Sequence, residues 1–165
     1  HTIYLGTGRR EFHPKKPRPG IEHYIFEAGR ESIGQVANPA AIDQGFVGNF
    51  MASRFNRQGH LGALLPAVHE ALLHKPCTRT EGACGSGGTA VAAGVNAILA
   101  DQADAVLVVG VEVQNTVKAI YGADILAGAG GPSADDDVPW ALDRTLTLAE
   151  QLYHDLEALG DDVVG

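Results

Sequence analysis

Cysteine is scarce in this 165-residue chain: Cys77 and Cys84 are the only two. Two thiols make no disulfide framework, and without a second pair their spacing makes no zinc site. A reducing cytoplasm is the expected compartment. Long apolar runs are missing too. The longest, Ala105 to Val111, falls well short of the ~20 residues a membrane-spanning helix takes. No basic segment followed by an apolar run resembles a secretory leader, and a first residue of His1 rather than Met suggests processing, trimming or engineering. No stretch of the chain repeats another.

What is present reads as globular. Hydrophobic residues make up 45% and charged residues 19%, and this length suits one domain with a real core. Glycine is abundant, at 21 residues, so the backbone must pack closely or turn sharply in several places. The net charge of −8 is unevenly placed. Residues 1–130 hold eleven Lys/Arg and eleven Asp/Glu, whereas residues 131–165 hold nine Asp/Glu against Arg144 alone. The acidic tail would repel phosphates, which argues against a nucleic-acid partner, and it reads as a separate unit. Two segments follow: 1–130, and an acidic amphipathic tail, 131–165.

Strand and helix patterns alternate along the first segment. Residues 2–6 read as a buried strand, and the basic, Pro-containing stretch from Arg9 to Pro19 as a loop. Ile21, Tyr24, Ile25, Ala28 and Ile33 fit an amphipathic helix over 21–36. Gly45 to Phe50 predicts a short strand. Leu61, Leu64, Leu65, Val68, Leu72 and Leu73 predict a helical stretch over about 56–74, kinked or restarted at Pro66. Thr78 to Ala83 predicts a strand leading straight into Cys84. A helix of small residues spans 87–100, and a continuous apolar strand, covered on both faces, spans 105–113. This alternation predicts an α/β architecture. In the tail, Ser133 and Asp135 to Asp137 suit the cap of a helix starting near Pro139, with Trp140, Leu142, Leu146, Leu152, Tyr153, Leu156 and Leu159 on its apolar face. The same acidic run can be read as a metal site, but a solvated cap explains it better. No metal site is expected.

The motif that carries chemistry is Glu81-Gly82-Ala83-Cys84-Gly85-Ser86-Gly87-Gly88. A strand runs into a cysteine, and a glycine-rich turn opens a helix. Free N–H groups and the positive end of the helix dipole favour a thiolate there. The glycines allow a bulky thioester to approach, and the turn's N–H groups suit an oxyanion. This is nucleophile-elbow logic with sulfur as the nucleophile. The alternative is that Cys84 merely fills a tight turn, since free cysteines are often buried. Cys77, between Pro76 and Thr78, reads as structural.

Cys84-Gly85-Ser86-Gly87, the Ala-rich helix after it, and Ala103-Asp104-Ala105-Val106-Leu107-Val108-Val109-Gly110-Val111-Glu112 together resemble the N-terminal half of the thiolase family. Ile3 to Phe12, Asp43 to Asn49, and Asn56-Arg57-Gln58 are similar to other parts of that half, so the likeness covers about residues 2–130. It implies an α/β fold: half of a thiolase-like layered fold, with a mixed, mostly parallel sheet, helices on both faces, and here an acidic C-terminal helix added. It also implies that Cys84 is the catalytic acyl acceptor, with its own backbone N–H at the oxyanion site. The substrate would be an acyl-CoA thioester, used in 3-oxoacyl-CoA thiolysis or Claisen condensation, with no covalently bound cofactor. Glu112 is expected to be structural. In the family, a second half brings a His base and a second Cys. None of the seven histidines (1, 13, 23, 60, 69, 74 and 154) sits in the family's His settings, and no second Cys-x-Gly turn occurs.

Three functional readings remain at this point. The chain is an acyltransferase or a subunit of one, paired with its own copy or with a completing thiolase-like subunit. Alternatively it is a non-catalytic scaffold that associates through the strand before Cys84 and an exposed apolar face. The third reading is a truncated product that folds poorly alone. The change at Gly130/Gly131 leaves a natural short paralogue, an altered reading frame and an engineered joint all open.

Overall fold

The computed structural model describes residues 19–130. The expected first strand, most of the basic loop and the acidic tail lie outside the described residues. Helix α1 (Ile21–Ile33) buries Ile21, Ile25, Gly29 and Ile33, a stripe at helical spacing. It ends three residues earlier than the expected 36, where the Gly34 N–H donates to the Arg30 carbonyl. Gly29 is inside the helix for a steric reason: a Cβ there would lie 2.8 Å from Val68 Cγ1.

The described strands are β1 (Ile42–Gly48), β2 (Cys77–Thr80) and β3 (Ala105–Gly110). They form a parallel sheet in the order β2-β1-β3. Gly48 pairs with Thr80 on one side and Gly110 on the other, so all three strands end together. At the opposite end the register of β1 and β3 slips between Ile42 and Gln44. There the Asp43 carboxylate accepts from the backbone N–H of Asp104 at 2.9 Å.

Alternation along the strands feeds two cores. Val47, Leu107 and Val109 pack with α1 and with Leu61, Leu65, Val68 and Leu72. Phe46, Val106 and Val108 face the other way, onto Ala90 and Ala97 of helix α3 (Ser86–Leu99). The small residues of α3 bring it close to the sheet: a Cβ on Gly94 would meet Val106 Cγ2 and Val108 Cγ2, each at 3.0 Å. Helices therefore cover both faces, as expected. Ile25, Leu61, Leu65 and Leu72 are fully buried, and each contributes about 1.5–3 kcal/mol of transfer free energy.

Further expectations are corrected, among them the strand expected over 45–50, which runs Ile42–Gly48. The stretch 56–74 is not one kinked helix but two 3-10 segments, Leu61–Ala67 and Glu70–Leu72. Arg57 takes a positive φ of 55°, His69 between the segments is extended, and Pro66 has no N–H to offer a longer helix. β2 stops at Thr80 rather than Ala83, and β3 at Gly110 rather than Val113, because β1 ends at Gly48; its last bonds run from the Asn49 N–H to the Thr80 carbonyl and from the Val111 N–H to the Gly48 carbonyl. Two short helices carried no sequence expectation: α2 (Ala52–Phe55) and α4 (Ala119–Ala127). They are tied by an Arg54–Asp124 ion pair of 3.2 Å.

Candidate functional site

The site lies where the carboxyl ends of the parallel strands meet the start of α3, the usual place for a ligand in such sheets. From Thr80 the chain passes through Glu81 and Gly82 into a 3-10 turn over Ala83–Gly85, and α3 begins directly at Ser86. Cys84 is in the middle of that turn and is exposed.

Hydrogen bonds hold the turn from both sides. The Ala83 N–H donates to the Glu81 carboxylate. The Ser86 hydroxyl donates to the Ala83 carbonyl at 2.7 Å and accepts from the Gly82 N–H at 3.0 Å. The Gly85 N–H closes the loop onto the Gly82 carbonyl at 2.8 Å. Within this bracing, Ala83 has φ 49°, the left-handed region that a Cβ-bearing residue enters at a cost of about 1–2 kcal/mol. The strain falls on the residue immediately before the thiol, and the local hydrogen bonds offset it.

Glycines make room below the turn. A Cβ on Gly48 would lie 2.3 Å from the Ser86 carbonyl oxygen and 2.8 Å from Gly87 Cα, so only glycine lets β1 run this close beneath α3. At Gly85 and Gly87 a Cβ would meet nothing within 4 Å.

The adjoining strand ends are locked together. Asn49, 1% exposed, donates from Nδ2 to the Val111 carbonyl at 2.8 Å and to Glu112 Oε2 at 3.0 Å, and its Oδ1 accepts from the Ala52 N–H. Glu112 Oε2 also accepts from the Phe50 N–H. Glu112 is thus a structural acceptor, the role expected of it. From β2, the Arg79 guanidinium donates to the carbonyls of Asn49 and Phe50.

Residues 27–135 match the family described as Thiolase, N-terminal domain. The chain belongs to the thiolase family. Among its curated relatives, an acetyl-CoA acetyltransferase of Methanothermobacter thermautotrophicus is 39% identical over 89 residues, covering 53% of this chain and 23% of that protein. Another, from Methanocaldococcus jannaschii, is 35% identical over 109 residues, covering 66% of this chain and 27% of that protein. The matched stretch therefore spans about a quarter of the length of these thiolase relatives.

In this thiolase N-terminal region, Cys84 is exposed while Cys77 starts β2 half-buried, and burial pushes the Cys77 thiol above its ordinary value. Of the histidines described, His69 Nδ1 accepts from the Ala71 N–H at 3.1 Å, His74 occupies a positive-φ turn, and His23 pairs with Glu22 at 3.4 Å. Ser86 is the residue whose part the sequence conceals. It stands in the motif like any small turn residue, yet it is buried and braces the turn. The one signal was a hydroxyl at the first position of a helix, where Ser favours bonding to nearby backbone. Among the described residues, no group of three or more His, Cys, Asp or Glu is placed to hold a metal ion, and no helix is long and apolar enough to cross a membrane.

Proposed function

We propose that this chain carries the acyl-accepting half of a thiolase-type acyltransferase, with Cys84 as the nucleophile and an acyl-CoA thioester as substrate. The observation that carries this reading is an exposed thiol on a strained, hydrogen-bonded turn at the head of α3, in a chain of the thiolase family. The Cys84 sulfur attacks the thioester carbonyl. A bond forms between Sγ and the acyl carbon, the bond to the coenzyme A sulfur breaks, and the thiol proton leaves with coenzyme A. The backbone N–H of Cys84 itself suits the oxyanion that develops. The acyl group then passes to coenzyme A or to an acyl-CoA enolate, in thiolysis or condensation. No covalently bound cofactor and no metal take part. Residues 1–130 form the thiolase-like unit and 131–165 an appended acidic segment. A cytoplasmic setting, in acyl-chain lipid metabolism, suits a chemistry that needs a reduced thiol.

The test is intact mass after incubation with acetyl-CoA. Wild type should gain one acetyl group and Cys84→Ser none. A folded wild type that gains nothing overturns the acyltransferase reading.

A second reading has its own support. The outward face of α3 carries Val95 and Leu99, 43% and 72% exposed, and β2 pairs on only one side in the described sheet. These features suit association with a second copy or a completing thiolase-like subunit, without catalysis. Alkylation separates the two readings. An acyl acceptor at Cys84 should react at least about tenfold faster than Cys77, whose thiol is partly buried and harder to ionise. Equal rates favour the scaffold.

A further inference from the structure

We propose that Ser86 is the positioning residue of the acyl-accepting turn: its buried hydroxyl sets the backbone that presents the Cys84 sulfur. This rests on the reading of Cys84 as the acyl acceptor and adds a residue to it. Ser86 is 4% exposed, so water does not compete for its hydroxyl. That one oxygen serves both sides of the turn, receiving the Gly82 N–H and donating to the Ala83 carbonyl.

Ser86 is itself anchored at its carbonyl. Its carbonyl is hard against the Gly48 backbone and accepts the Thr89 hydroxyl at 2.8 Å. Its hydroxyl therefore transmits a fixed point in the sheet-helix packing to the peptide unit just before Cys84. Ala83 needs that restraint because its φ of 49° is disfavoured for any residue with a Cβ. Glu81 also holds Ala83, but from an exposed carboxylate, where solvent weakens the restraint. Without the Ser86 hydroxyl, the Ala83 carbonyl still receives the Ser86 backbone N–H, but the link from Gly82 to Ala83 through the buried oxygen is gone, so Ala83 relaxes toward negative φ and the thiol two residues ahead of the anchor moves with it. Acyl transfer is sensitive to such shifts, since a displacement of ~1 Å costs on the order of a hundredfold in rate.

The experiment follows acetylation of Cys84 by intact mass, over a range of acetyl-CoA concentrations, in the full chain. Ser86→Ala should lower the limiting rate by about tenfold or more, with the half-saturating concentration little changed. Ser86→Thr, which keeps the hydroxyl, should stay within about threefold of wild type. Val68→Ala weakens the core on the far face of the sheet and should leave the limiting rate unchanged, which separates positioning from mere loss of stability.

If Ser86→Ala does not fold, the comparison moves to an Ala83→Gly background, where the left-handed turn carries no Cβ penalty. There the added Ser86→Ala change should still slow acetylation several-fold. Equal limiting rates with and without the hydroxyl, in either background, overturn the role of Ser86 and leave Cys84 as acceptor. A wild type that takes up no acetyl group overturns both assignments together.

Discussion

Gly48 lies directly beneath Ser86: a Cβ added to it would reach to 2.3 Å of the Ser86 carbonyl oxygen. The opposing atoms are backbone, so no side chain can rotate out of the way. Gly48→Ala should therefore destabilise the fold by about 1–3 kcal/mol, the range for forced overpacking. Gly59→Ala is the matched control, because a Cβ there meets only Ser53 Cβ at 3.9 Å and should leave stability within about 0.5 kcal/mol. Urea unfolding of the two variants checks both.

Asn49 is the hub of the strand ends, and Asn49→Ala should cost about 3 kcal/mol. The variant leaves the buried Ala52 N–H and the Val111 carbonyl without that partner, and each unsatisfied group costs ~1–3 kcal/mol. Asn49→Asp should be worse at neutral pH. It replaces the Nδ2 donor with a carboxylate oxygen facing Glu112 Oε2. Part of that loss should return on acidification, which thermal unfolding at two pH values would show.

The fold should weaken in acid partly through Asp43. The Asp104 N–H bonded to its carboxylate holds Asp43 below its ordinary value, with help from Ala105 and Lys75, while partial desolvation opposes the shift. A depressed carboxyl stabilises the fold fully above its unfolded value and loses that contribution as pH falls through its folded one. The stability difference between wild type and Asp43→Asn should hold from pH 7 to 5 and shrink below about pH 4. A difference independent of pH would show that the carboxylate charge contributes nothing.

Association, if α3 mediates it, should respond to charge on its outer face. Val95→Glu with Leu99→Glu should reduce self-association in sedimentation without altering the unfolding midpoint by more than a few degrees, because both side chains are exposed. Unchanged association would exclude this face from the interface.

The sequence made the α3–β3 unit legible because its pattern is local. Gly94 and its alanines announce a helix pressed onto a sheet, and Val106 to Val109 announce a strand covered on both sides. The region from Asn56 to His74 was misleading because Leu61, Leu65, Val68 and Leu72 are all buried at intervals that suit an α-helix. Periodicity does not distinguish that helix from two short 3-10 turns broken at an extended His69. Strand ends were overrun because they depend on where a partner stops. Nothing in Glu81 to Ala83 or in Val111 to Val113 records that β1 ends at Gly48. At the candidate site, the turn that carries Cys84 was legible from its glycines, but the bracing by Ser86 was not, since it depends on Ala83 taking a positive φ.

The sheet order also bears on how the chain is made. β1 is central, yet its neighbours are encoded later: Gly45 pairs with Cys77 and with Leu107. At a ribosomal rate of about 5–20 residues per second, β1 waits roughly 3–12 s for β3 to be synthesised. During that interval Phe46 and Val47 lack Val108 and Val109 beside them, and β1 has at least one open edge. Nascent chains of this protein should therefore depend on chaperone holding more than the finished domain does.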